Sequence, residues 1–238
     1  MIQLRRAAFV LFVAALAGGG LAAPAGKPVA VTAVDVLIDP DATMLQHAMA
    51  ANARLRTGYP QGFALDETHH PHLTCLQAYV RTSELDRVYG AIEKVLAGES
   101  PKTWKLTAYT YDAGPWDGRK LAGIYVQPTD ELLRFQKELI EALAPFTAPS
   151  GSWAAFFAPK GDSAVDPRIV TYVAAFESDG TGPKYKPHVT VGVASEESVG
   201  TLLDEKLDPF VWSPASVSVY QLGRFGAARK KLKAWSVR

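Results

Sequence analysis

The tetrapeptide Pro-His-apolar-Thr occurs twice in this chain. One copy is Pro71-His72-Leu73-Thr74, within "HHPHLTCLQAYV"; the other is Pro187-His188-Val189-Thr190, within "KYKPHVTVGVA". The histidines lie 116 residues apart. The pattern after each copy predicts the same elements: a strand, a serine-capped helix, then two strands. A helical pattern also precedes each block, over 42–56 and 130–143. Self-similarity at the level of whole elements points to two related lobes. Strands and helices alternate, yet each block ends in a hairpin, so the sheets should be mainly antiparallel with helices outside. The expected fold is α+β: one bilobal domain over 26–238, with two mainly antiparallel sheets and outer helices related by a pseudo-twofold, and a cleft between the lobes.

Local patterns support this order. "PVAVTAVDVLID" (28–39) alternates and is β-branched, as a strand requires. In "DATMLQHAMAANARLRTG" the apolar residues Leu45, Ala48, Met49 and Leu55 have helical spacing, interrupted at Asn52 and closed by Gly58. His47 falls within this helix as a surface or partly buried residue. "SELDRVYGAIEKVLAG" is amphipathic with Ser83 as its cap, and Thr129 caps a third helix over "DELLRFQKELIEALAPF". "WKLTAYTYD" and "LAGIYVQP" read as a hairpin across "AGPWDGRK". "IVTYVAAFES", "HVTVGVA", "SVSVYQLG" and "KLKAWSV" read as strands, with a short helix over "SEESVGTLLDEKL". Between the blocks, Thr147–Asp166 is a long insertion carrying Trp153, Phe156 and Phe157, either a lid or a docked loop.

The amino terminus, "MIQLRRAAFVLFVAALAGGGLAAPAG", has two arginines, an apolar run and small residues. That is a secretory signal pattern over 1–25, and it implies an exported protein, periplasmic or secreted, without stable membrane association after cleavage. Cys75 is the one cysteine, so no internal disulfide forms, and its strand setting suits a small buried hydrophobe. The net charge of +1 gives no electrostatic case for a long nucleic acid as partner. A monomer acting on a small ligand is the expectation.

On a strand, residues i and i+2 share a face. His72 and Thr74 therefore project together, as do His188 and Thr190, while Leu73 and Val189 point into the core. The preceding proline favours extended backbone. If two lobes face each other, two imidazoles and two hydroxyls meet. In-line displacement at phosphorus needs a base on the entering oxygen and an acid on the leaving one, and histidine can be either near neutral pH. Threonine hydroxyls can donate to the non-bridging oxygens. The residues alone do not say which histidine is the base.

These two His-x-Thr motifs resemble the paired signatures of the two-histidine (2H) phosphoesterase superfamily, in its 2′-5′ RNA ligase-like and cyclic phosphodiesterase branch. The resemblance covers the chain from about Val29 onward. It implies a bilobal fold and a metal-independent phosphodiesterase without cofactor, acting on 2′,3′-cyclic phosphates or related nucleotide or RNA-end phosphodiesters. His72 and His188 would be catalytic, and Thr74 and Thr190 would bind substrate. Tyr185 and Tyr79 are candidates for stacking on a base, and Lys186 for contacting a phosphate. The basic run "ARKKLK" (228–233) reads as a charged edge strand. Two other readings stand beside this one: a non-catalytic nucleotide-binding module of the same fold, and an exported metal-binding protein using His69, His70 and His72 of "HHPH".

Overall fold

A computed structural model describes residues 29–159 and 165–237. The export-signal pattern lies outside the described residues. In chain order the elements are β1 (Val31–Pro40), α1 (Ala42–Gly58), β2 (Leu73–Arg81), α2 (Leu85–Ala97), β3 (Leu106–Trp116), β4 (Arg119–Val126), α3 (Asp130–Leu143), β5 (Thr147–Ala148), α4 (Pro167–Asp179), β6 (His188–Ala194), α5 (Glu196–Asp204), β7 (Phe210–Trp212), β8 (Pro214–Leu222) and β9 (Ala228–Ser236). Every strand pairing is antiparallel.

The strands run in the order β7-β3-β4-β6-β2-β1-β8-β9, with β5 added beside β2. The expected two sheets are thus one path, joined at a single bridge, Leu73 opposite Val189. The halves also do not coincide with the sequence blocks. The β3–β4 hairpin follows the first motif but pairs with β6, and β8 follows the second motif but pairs with β1. Each block gives its motif strand to one half and its hairpin to the other, so the halves interlock.

Three local readings change. Ser83 does not cap α2: a short 3-10 turn, Thr82–Glu84, precedes the helix, whose start has no side-chain cap. Asp41, Thr129 and Ser195 do cap α1, α3 and α5. "IVTYVAAFES" is α4 rather than a strand. Its β-branched composition favours a strand, but Ile169, Val173 and Phe176 recur at helical spacing and are buried, and Asp166 caps a start with Pro167 in the first turn. The β3–β4 turn is tight, because Asp117 and Gly118 both have positive φ (46° and 71°), so the strands extend through most of the segment read as a loop. Pro115 fits there because β7 pairs only with 106–108, leaving that stretch of β3 an edge.

The main core lies between the sheet and its outer helices; Leu73, Val189, Phe135 and Ile92 are all fully buried in it. Cys75 belongs to it too, and burial pushes its thiol well above the ordinary range. A second apolar cluster on the other sheet face joins Ala33, Tyr79 and Leu222 to Phe156, Ile169 and Val173. It docks the insertion and α4 against β2. Within the insertion Phe156 is buried and Trp153 is exposed. β9 closes one end of the strand path, which suits the charged edge expected of "ARKKLK".

Each motif strand bulges at the same place. On β2 the register passes from Thr74 to Leu76, skipping Cys75; on β6 it passes from Thr190 to Gly192, skipping Val191. A bulge leaves one backbone carbonyl out of the ladder, and something must satisfy it. The Cys75 carbonyl accepts from Gln136 Nε2 on α3 at 2.9 Å, and the Val191 carbonyl accepts from Asn52 Nδ2 on α1 at 2.8 Å. The same two amides accept from the loops that lead into the motifs. Gly182 N–H donates to Gln136 Oε1, and Leu65 N–H donates to Asn52 Oδ1. Both side chains are buried. Replacing Gln136 with leucine should strand two backbone groups, and replacing Asn52, which also donates to the Phe63 carbonyl, should strand three; either should lower unfolding stability by about 2–4 kcal/mol. Denaturant melts check this, and a loss below about 0.5 kcal/mol, the usual range of a surface substitution, contradicts it.

Candidate active site

The Leu73–Val189 bridge sets the geometry of the site. One step either side in an antiparallel pair, His72 stands across from Thr190 and Thr74 across from His188. Leu73 and Val189 point into the core, so these four residues share the opposite face. All four line one cleft of about 710 Å³. Its far wall is α4, through Arg168, Ile169, Tyr172 and Phe176, and Trp116 and Arg119 close another side.

Both imidazoles are held in the same way. His72 Nδ1–H donates to the carbonyl of His70 at 2.6 Å, and His188 Nδ1–H donates to the carbonyl of Lys186 at 2.8 Å. A carbonyl only accepts, so the proton sits on Nδ1 in each neutral ring and Nε2 is left for chemistry. The His188 ring stacks on Tyr125, with centroids 5.1 Å apart. Gly123 makes room for it, since a Cβ there would lie 3.1 Å from His188 Cδ2.

The surroundings of the two rings differ. His72 Nε2 is 3.5 Å from Asp35 Oδ2. Burial disfavours the His72 cation, but Asp35, the His70 carbonyl and Asp39 together raise its pKa above the ordinary histidine value. His188 goes the other way: burial holds its pKa below the ordinary value, and the nearby charge of His72 adds to this. The pair thus favours one proton, on His72.

A further layer braces the first motif. His70 Nε2 meets Asp39 Oδ1 at 2.7 Å, and the ring stacks on Tyr220. Asp39 also accepts from Ser216 and Ser218. Burial raises the Asp39 carboxyl, but these partners more than offset it and leave it below its ordinary value.

The threonines are not equivalent either. Thr74 gives its one hydroxyl proton to Asp35 Oδ2 at 2.8 Å, while Thr190 stands on the cleft wall. Lys186 lines the cleft and its carbonyl fixes His188. Tyr185 lines the cleft, but its ring belongs to the main core with 8% of its surface exposed, and its hydroxyl donates to the Thr74 carbonyl at 2.6 Å, so little of the ring is open to stacking. Tyr79 is excluded from the cleft, being only 1% exposed with its hydroxyl bonded to the Val170 carbonyl. Both expectations rest on aromatic type near a motif; the β2 bulge decides the face that Tyr79 takes, whereas Tyr185 lies ahead of β6 and is placed by its hydroxyl bond to the Thr74 carbonyl.

The three imidazoles of "HHPH" all line the cleft, yet each is held by a different partner: His69 Nδ1 is bonded to Thr68 with its ring stacked on Phe63, His70 is held by Asp39, and His72 by the His70 carbonyl. Among the described residues no group of three or more His, Cys, Asp or Glu is arranged to hold a metal ion. His47 is partly buried and stacks on Phe210.

A profile of the 2′-5′ RNA ligase superfamily matches residues 45–224, and the chain belongs to that family. A search of curated proteins finds no match. Among solved structures, TT0787 of Thermus thermophilus covers 87% of this chain and 98% of its own at 14% identity, with a TM-score of 0.53, and shares the fold. E. coli LigT in apo form covers 87% and 97% at 15% identity with a TM-score of 0.44. Usb1 of Kluyveromyces marxianus covers 87% and 98% at 12% identity with a TM-score of 0.38.

The close approach of Gly123 can be tested. Gly123→Ala should push the His188 ring off the Tyr125 face and shift its Hδ2 resonance while that of His72 stays in place. Unchanged resonances for both rings contradict the packing described.

Proposed function

We propose that this chain is a metal-independent phosphodiesterase that hydrolyses 2′,3′-cyclic phosphates or related nucleotide or RNA-end phosphodiesters. One observation carries the reading. Two imidazoles, each locked through Nδ1 to the carbonyl two residues back, present Nε2 to one cleft, with a carboxylate, Asp35, 3.5 Å from His72. Membership of a phosphoesterase family supports it.

In this reading a water oxygen bonds to phosphorus as a ring P–O bond breaks. His188 Nε2 takes the proton of the water, and His72 Nε2–H gives one to the departing ribose oxygen. The products are a phosphate monoester and a free hydroxyl, and the two histidines exchange protonation states. Thr190 donates to a non-bridging oxygen, and Lys186 and Arg119 supply positive charge at the cleft wall. With the amino-terminal segment taken as an export signal, the reaction belongs outside the cytoplasm.

The test is turnover of a panel of 2′,3′-cyclic nucleotides by the mature protein in chelator. His72→Ala and His188→Ala should each lower kcat/KM by at least about 100-fold. Absence of chelator-resistant, histidine-dependent turnover overturns the reading and leaves a nucleotide-binding module. The pH profile follows from the two shifts. The base must be neutral, so activity rises through the His188 pKa, below the ordinary histidine value. The acid must be charged, so activity falls through the His72 pKa, above it. A bell with a broad top across neutral pH is expected. A narrow bell centred on the ordinary histidine value contradicts the split.

A further inference from the structure

The two halves of the cleft match in register, and the match isolates one difference. Each motif threonine is followed by a bulge, and three residues after it the strand is again paired with its neighbour. In one half Gln77 lies opposite Asp35; in the other Val193 lies opposite Leu121. The position occupied by an amide and a carboxylate beside His72 is thus occupied by two aliphatic side chains beside His188. We propose that Asp35, braced by Gln77, is a positioning residue that breaks the symmetry of the histidine pair, holding the proton on His72 so that His72 is the acid and His188 the base. The naming of roles rests on the phosphodiesterase reading; the placement of the proton does not.

Asp35 is fully buried in the middle of β1. Its Oδ2 accepts from Thr74 at 2.8 Å and from Gln77 Nε2 at 2.9 Å, both neutral donors. Its Oδ1 has no partner among the described residues. The one cation paired with it among those residues is His72. An isolated buried charge is costly, so carboxylate and imidazolium stabilise each other. At 3.5 Å the contact is longer than a hydrogen bond, and Oδ2 already has two donors, so Nε2–H stays free to turn to a ligand.

Arg119, Arg168, Lys184 and Lys186, with Asp166 and Asp179, line the cleft more widely, and the charged groups that act most on the two rings are few. His72 also feels Asp39, which favours its cation. His188 faces the Lys186 carbonyl and the Tyr125 ring; Asp112 and the more distant Asp35 favour its cation, and His72 opposes it. Removing Asp35 therefore acts mainly on His72. Asp35→Asn keeps an acceptor for Thr74 and removes the charge.

The experiment is an NMR titration of the two imidazoles in the mature protein, wild type and Asp35→Asn. It needs no substrate, so it stands whether or not cyclic phosphates are hydrolysed. In the wild type His72 should titrate above His188 by at least about one pH unit, a tenfold difference in proton affinity. Asp35→Asn should lower the His72 midpoint by about a unit and move His188 by much less. If the variant turns over substrate, the alkaline limb alone should shift toward acid. A wild-type His188 midpoint at or above that of His72 overturns the proposal, and that comparison does not depend on the variant folding. Equal movement of both midpoints in Asp35→Asn also overturns it.

Discussion

The structure depends on one backbone irregularity made twice. A strand alternates its side chains with period two, and a one-residue bulge resets that alternation. On β2 the reset after Thr74 lets Gln77 reach Asp35 together with Thr74, and sends Tyr79 into the cluster beneath α4. A bulge costs a ladder hydrogen bond. Here a buried amide on an outer helix offsets that cost, and it also ties each bulge to the loop entering the other motif. The imidazoles are therefore positioned by the core itself.

The interlocked topology has a functional consequence. Because each sequence block lends its hairpin to the other half, neither motif strand is supported by its own block alone. β6 leans on β4, and β2 leans on β1, which is itself paired with β8. The halves meet at Leu73 and Val189, so movement of one lobe would be felt directly at the histidines. The cleft is then closed by α4, which arrives from the insertion and docks through Tyr79, Ile169 and Val173. A near-symmetric frame thus carries an asymmetric wall and an asymmetric charge.

Much of this is legible in the sequence. The motif strands, four of the five α-helices among the described residues and the shared cleft follow from the repeated tetrapeptide and from 3.6- and 2-residue periodicity. The α4 segment misleads because Ile, Val, Thr and Tyr favour strands, while its cap and its Ile169–Val173–Phe176 spacing speak for a helix. The Asp117–Gly118 pair is a turn signal inside the segment that reads as a loop. Two readable irregularities mark the deeper design: Asn52 interrupting the apolar stripe of α1, and Asp35 inside an apolar strand. Both are buried polar residues, which a sequence shows as breaks in pattern; their partners, at Val191 and Thr74, are set only by the fold. The faces that Tyr79 and Tyr185 take are hidden for the same reason.

The central claim is that both imidazoles act on one phosphorus from opposite sides. A crystal structure of this protein with a nucleoside vanadate tests it directly, since vanadate takes the five-coordinate geometry of in-line displacement. The account predicts His72 Nε2 and His188 Nε2 within hydrogen-bond distance of the two opposite apical oxygens, with Thr190 on an equatorial one. Vanadate held by one imidazole alone, or bound away from the Leu73–Val189 bridge, would contradict it.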